Sequence, residues 1–433
     1  MIKALFRGRI RWVLVAWMFA ISAVAYLDRV NISIAGSSIE RDFHLTHVQL
    51  GWVFSAFVLG YALFQAPGGR LADRYGPHKV IAVGTVWWAL FTALTAFVPS
   101  GISGMLVVLL AVRFLLGLGE AVVLPACNRV VAFWIPSQER GLANGWIFAG
   151  IGVGAGLAPP LSTYMLIHYG WRWAFRASTL LGLATAAIWF AIARDRPQDH
   201  PWVEPAEAAH IRSGLPDMTR SVAAPWGSIL GSRDLLAIAA SYFAYGYAAY
   251  IYFTWFFIYL SRIRGMDLKS SAYYGMLPFI AMALGSTFGG WISDGLTKRR
   301  GKRVGRCLFA AATMTLSGCF IALGMLAKNP QLASLILAGG AGALYLAQSS
   351  FWSVTADLAG SSAGSASGVM NMGAQLGGVA TASLTPLIAA HFGWPASFLT
   401  TTALCLAGAA AWLWVDPSAG LKTSTAPLGR RRL

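Results

Sequence analysis

Along the chain, apolar residues come in runs of about 20, the length a helix needs to cross a bilayer. Short clusters of basic and turn-forming residues separate them. Twelve spans are expected, near residues 12–36, 47–69, 79–98, 103–126, 141–166, 172–193, 235–260, 272–294, 305–326, 331–355, 364–390 and 394–415. The one long polar stretch, 194–234, lies between the sixth and seventh runs and holds Arg194, Arg196, Arg212, Arg220 and Arg233 beside six acids. The pattern predicts an all-α membrane protein: a six-helix bundle over 1–193, a cytoplasmic linker over 194–234, and a second six-helix bundle over 235–433 with a short basic tail.

Charge orients this picture. The chain has 433 residues, 57% of them apolar and 11% charged, which is far from a soluble mixture. A net charge of +17 could suggest nucleic acid, but the basic residues sit between the apolar runs and read as topology signals. With the N-terminus inside, cytoplasmic segments hold 23 of the 33 Lys and Arg residues, so both termini are expected in the cytoplasm. Lys3, Arg7, Arg9 and Arg11, followed by an apolar run to Ala23-Val24-Ala25, imitate a cleaved leader. The run continues through Asp28-Arg29-Val30-Asn31 with no soluble domain behind it, and removing it would leave an odd number of spans. Cys127, Cys307, Cys319 and Cys405 show no metal-ligand spacing, and no disulfide, metal or cofactor is expected.

The two halves repeat each other. Gly69-Arg-Leu-Ala-Asp73 after span two returns as Gly290-Trp-Ile-Ser-Asp294 after span eight. Gly141, Ala143 and Gly145 return as Gly364, Ala366 and Gly368, and His168-Tyr-Gly170-Trp171 as His391-Phe-Gly393-Trp394, both at an offset of 223 residues. Repeats related by an axis along the membrane normal are a transporter design, with substrate held between halves that rock about it.

Charges inside the spans point to the same place. Arg113 and Glu120 lie seven residues apart in span four, on nearly one side of a helix and about 10 Å apart along it. A charge near the bilayer centre costs about 3 to more than 10 kcal/mol. Such residues either line a wet functional cavity or bolt helices together as an ion pair. Asp28 and Arg29 sit deep in span one. Neighbours on a helix differ by about 100°, so one can face the cavity while the other faces a helix. A salt bridge at the rim is the structural alternative.

These residues carry a resemblance. The whole chain resembles a major facilitator superfamily transporter, most specifically in the loop Gly69-x-x-x-Asp73-Arg74-x-Gly76-x-x-Lys79. It is also similar to the anion:cation symporter family, which includes bacterial sugar-acid/proton symporters and animal sialic acid and vesicular glutamate carriers. That narrower match rests on Tyr26-Leu-Asp28-Arg29-Val-Asn31, Phe54-Ser-Ala-Phe57, Tyr61, Arg113, Glu120, Pro136-Ser-Gln-Glu139-Arg140-Gly141 and Gly368-Val-Met-Asn371. The resemblance implies that Asp28 and Glu120 carry protons and that Arg29 and Arg113 meet the anion. Asn371 matches a substrate-facing position, and Gln375 shares its helix face at i+4. Tyr26 and Tyr61 are further candidates to orient substrate. For Gln375 and Tyr26, an interhelical hydrogen bond is the equal alternative.

Gly69, Asp73, Arg74, Arg129, Glu139, Arg140, Asp294 and Asp357 fall at cytoplasmic span ends and suit charge-paired latches of an inner gate. The aromatic run of span seven, which includes Tyr242, Tyr250 and Phe253, reads as packing, with Tyr245 or Tyr252 able to line a pocket. The glycines from Gly150 to Gly156 imitate a phosphate loop, but no strand precedes them, and they suit close helix contact. Asn31-Ile-Ser33 is a glycosylation sequon inside a span. Gly156-Leu-Ala-Pro159-Pro160 lacks the antiporter pattern, which weakens an efflux reading. The expected function is proton-coupled uptake of a small organic anion, such as a sugar acid, by a monomer in a bacterial inner membrane. A proton-coupled drug or metabolite antiporter on the same fold is the alternative. The expected partners are the anion, protons and lipid, without nucleic acid. An enzyme is not expected, since no nucleophile–base set or soluble domain is present.

Overall fold

A computed structural model describes residues 8–101, 104–215, 224–256 and 259–421. These residues fold almost entirely into helices, with no strand among them. The first half contains α1 (Ile10–Phe43), α2 (His47–Tyr75), α3 (Pro77–Phe97), α4 (Met105–Ala121), α5 (Val123–Trp134), α6 (Arg140–Tyr169) and α7 (Trp171–Ile192). Two short helices, α8 (Pro205–Ser213) and α9 (Trp226–Leu230), follow in the linker. The second half contains α10 (Arg233–Thr254), α11 (Leu268–Lys302), α12 (Phe309–Leu326), α13 (Pro330–Leu346), α14 (Gln348–Ala359), α15 (Ala363–Phe392) and α16 (Trp394–Ala411).

Twelve crossings result. Nine stretches of described helix are apolar and long enough to span, and two of them, Tyr273–Leu326 and Pro330–Thr381, hold 54 and 52 residues. At 1.5 Å per residue each of those is long enough to cross twice. The remaining crossing is α2, whose charged residues, Arg70, Asp73 and Arg74, all fall in its last two turns. Spans four and ten each come in two pieces. Pro125 has no N–H to give the Ala121 carbonyl, which breaks the helix between α4 and α5. The matching break at Ala347 has no such residue behind it.

The repeat seen in sequence is a repeat in packing. Span one lies on span five as seven lies on eleven; two lies on four as eight on ten; three lies on six as nine on twelve. The halves meet where α6 packs on α11 and α2 on α15. Gly150 and Gly154 bear out their structural reading, since an added Cβ would sit 2.4 and 2.0 Å from the carbonyls of Phe19 and Ala23 in α1. Asn31 is buried, its Nδ2 donating to Ser178 at 2.6 Å and its Oδ1 accepting from Ser162.

The linker lies beneath the first half, on the face where the described chain begins and ends. Glu207 of α8 accepts from the backbone N–H groups of Ile10 and Arg11, both at 3.1 Å. This places a carboxylate on the positive end of α1. Glu139 binds Arg11 at 3.1 Å and His210 of α8 at 2.9 Å. Partial burial pushes the Glu139 carboxyl up, but these hydrogen bonds outweigh it and hold it below its usual range. Arg220 and the basic tail from residue 422 lie outside the described residues.

Candidate functional site

Four ionisable side chains stand at mid-depth in the first four spans. Arg29 of α1 reaches α4, where its Nη2 lies 2.5 Å from Glu120 Oε1. Its guanidinium is 4.4 Å from the ring centres of Tyr26 and Tyr61 and 5.0 Å from that of Phe57. Ring faces are negative, so they support a cation that has lost most of its water. Glu120 is buried, and its Oε2 has no hydrogen-bond partner among the described residues. Asp28, one residue before Arg29, turns to α3 instead and accepts from Thr92.

Close helix packing fixes this arrangement. A Cβ on Gly60 would lie 2.1 Å from the Phe114 carbonyl, and one on Gly117 2.2 Å from that of Phe57. The backbones of α2 and α4 therefore touch, which sets Glu120 beside Tyr61. Arg113 is 2% exposed, 5.0 Å from the Phe57 ring, and has no hydrogen bond or ion pair among the described residues. Asp28 and Glu120 are the acids that act on it electrostatically.

A cavity of about 1100 Å³ opens between the halves, toward the face opposite the linker. Arg29 is the one charged residue lining it among the described residues. Tyr26, Asn371 and Gln375 also line it. Tyr26 lies 3.4 Å from Arg29 Nη1, Asn371 donates to Gln65 at 2.9 Å, and Gln375 accepts from Tyr250 at 2.8 Å. Tyr245 and Tyr252 both reach the wall, joined by Tyr242, Tyr250 and Phe253 from the run read as packing. Arg113 and Tyr61, expected to meet substrate, stay outside the lining in this conformation. The Phe57 ring lies beside Arg113, and the Arg29 guanidinium covers the Tyr61 ring. Sequence reasoning missed Tyr345 and Gln348, which line the cavity from span ten. A lone tyrosine and glutamine in an alanine- and glycine-rich run give no signal.

The linker face is shut, and symmetrically so. Asp73, on α2, accepts from the N–H groups of Gly364 and Ser365 at 3.1 and 2.7 Å. Asp294, on α11, accepts from those of Gly141 and Leu142 at 2.9 and 2.6 Å. Each carboxylate thus sits on the free N–H groups that open a helix of the other half. Each also has an arginine, Arg129 at 3.3 Å and Arg306 at 2.6 Å. Arg140 reaches Asp357 across the halves at 2.5 Å. Gly69 is needed for contact, because a Cβ there would fall 1.9 Å from the Gly364 carbonyl. Two expected members stand apart. Arg74 is exposed over the Tyr75 ring with no ion pair among the described residues, and Glu139 ties the linker to the first half. Arg306, counted as a topology charge, is fully buried in the latch.

The sequence matches the Major Facilitator Superfamily over residues 18–382 and, in an overlapping match, 299–433. The chain belongs to that superfamily. It is similar to the probable sulfoacetate transporter of Cupriavidus necator, with 33% identity over 415 residues and 95% of each chain covered. It is similar also to the probable galactarate/D-glucarate transporter of Escherichia coli, at 31% over 399 residues, covering 87% of this chain and 86% of that one. Its fold is that of the proton:xylose symporter solved with 6-bromo-6-deoxy-D-glucose, at a TM-score of 0.72 and 14% identity over 95% and 97% of the two chains. The expected resemblance therefore holds, and this Major Facilitator Superfamily protein is a multi-pass transporter and not an enzyme.

Proposed function

We propose that this transporter takes up a small organic anion together with a proton. The observation that carries the reading is the Arg29–Glu120 pair, whose arginine is the charged group the cavity presents. An anion on Arg29 competes with Glu120 for the guanidinium, and the released carboxylate, buried and short of partners, takes a proton. Asp28 is the second acid, and Arg113 stands where its charge bears on both. With both bound, the halves rock: the latch of Asp73, Asp294 and Arg140 opens while the far side closes. The bundles are those of 1–193 and 235–433, joined by the linker, with both termini in the cytoplasm. The relatives' names, sulfoacetate and galactarate/glucarate transporters, support an anionic substrate.

Proteoliposomes under an imposed proton gradient test this. Wild-type protein should accumulate its anion, and Glu120→Gln should lose accumulation while still exchanging labelled for unlabelled anion. Accumulation that survives in Glu120→Gln removes Glu120 from the coupling. One observation favours the antiporter alternative: the wall is mostly apolar, with ten aromatic side chains, and Arg29 is its one charged residue among the described residues. Arg29→Ala separates the two, since a cationic drug tolerates it and an anion does not.

A further inference from the structure

The lining also bears on which anion is carried, given the anion reading above. A sugar diacid brings two carboxylates and a hydroxyl on each carbon between them, and each group needs a partner once water is stripped away. Among the described residues Arg29 is the one cation on the wall, so a second carboxylate finds no charged partner. Tyr252 is engaged with the Leu337 carbonyl at 2.9 Å, Tyr250 with Gln375 at 2.8 Å, and Asn371 with Gln65 at 2.9 Å. Tyr242 accepts from both Gln348 Nε2 at 2.8 Å and Trp352 at 2.9 Å. Gln348 Oε1 is buried on the wall without a partner among the described residues, and Gln348 is 3% exposed.

Ten aromatic side chains share the rest of the wall with aliphatic ones. Tyr242 and Tyr245 stack at 5.0 Å, Tyr345 lies 5.5 Å from Tyr245, and Phe148 of the first half lies 4.9 Å from Trp352 of the second. Flat faces of this kind suit another flat ring. We infer that the substrate is an aromatic monoanion: one carboxylate on Arg29, its ring among Tyr245, Tyr345 and Phe148, and a ring hydroxyl donating to Gln348 Oε1. This accounts for an anion's arginine in a wall that otherwise suits apolar ligands. It departs from the sugar diacid that one relative's name would suggest.

The test is titration of the purified full chain with benzoate, 4-hydroxybenzoate, galactarate and D-glucarate. 4-Hydroxybenzoate should bind at least tenfold more tightly than either diacid. It should exceed benzoate by about tenfold, the worth of one buried hydrogen bond. Gln348→Met should erase that second advantage and leave benzoate binding in place, which also shows that the variant is folded. Diacids that bind as tightly as 4-hydroxybenzoate, in an Arg29-dependent way, overturn the aromatic assignment and leave anion transport standing. Binding of 4-hydroxybenzoate that persists in Arg29→Ala overturns both readings. The absence of binding by all four probes overturns the aromatic assignment alone.

Discussion

Arg29 and Arg113 share a charge and an aromatic neighbour, yet only Arg29 reaches the cavity. Their replacements should therefore separate. Arg29→Gln removes a charge-assisted contact and is expected to weaken anion binding about a hundredfold or more. Arg113→Gln should change the dissociation constant by less than about tenfold, measured by the same titration. The divergence of Asp28 and Arg29 was legible, because adjacent helix positions cannot share a face. The partner of Arg29 was not: Glu120 is 91 residues away, and their meeting depends on how α1 packs beside α4. Arg306 shows the opposite failure. In sequence it is one more basic residue after span eight, and only the fold buries it against Asp294.

At the scale of the helix, the latch works by capping. Asp73 and Asp294 each bind two N–H groups that begin a helix of the other half, so opening this face strips both helices of their caps. The repeat of Gly69…Asp73 and Gly290…Asp294 was plain in the sequence, as was the repeat of Gly141 and Gly364. That the two repeated sets meet each other was not, since sequence symmetry says nothing of which copy touches which. The backbone contacts predict a trapped conformer. A Cβ on Gly290 would lie 2.2 Å from the Gly141 carbonyl, which cannot yield as a side chain can. Gly290→Ala should thus favour the state open on the linker face. A longer distance between spin labels at exposed Tyr75 and Lys298 would report it; an unchanged distance would count against the contact.

For the whole molecule, the twelve spans and their six-and-six order were legible because apolar length alone reports them. The linker's docking was not, since it depends on single polar contacts. His200 is one of these. Its Nε2–H donates to the Ile192 carbonyl at 2.8 Å, its Nδ1 accepts from the Trp202 N–H at 3.1 Å, and it packs edge-on against Trp134. Burial pushes its imidazole below the ordinary 6.5, against the pull of the Ile192 carbonyl. The unfolded linker then takes a proton more readily than the docked one. Docking is at full strength above 6.5 and weakens as the pH falls through that value. Proteolysis within residues 194–234 should quicken below about pH 6.5, and His200→Gln should flatten that dependence.

The ion pair between Arg29 and Glu120 has a consequence for the energy source. The empty pair sums to zero charge. So does the loaded site under the proposed exchange, with a cationic arginine, a monoanion and a neutral glutamic acid. Neither form moves net charge across the membrane, so the electrical potential does no work on either passage. A potassium diffusion potential of either sign, at matched pH, should leave the rate of uptake unchanged, whereas a pH step without a potential should drive accumulation.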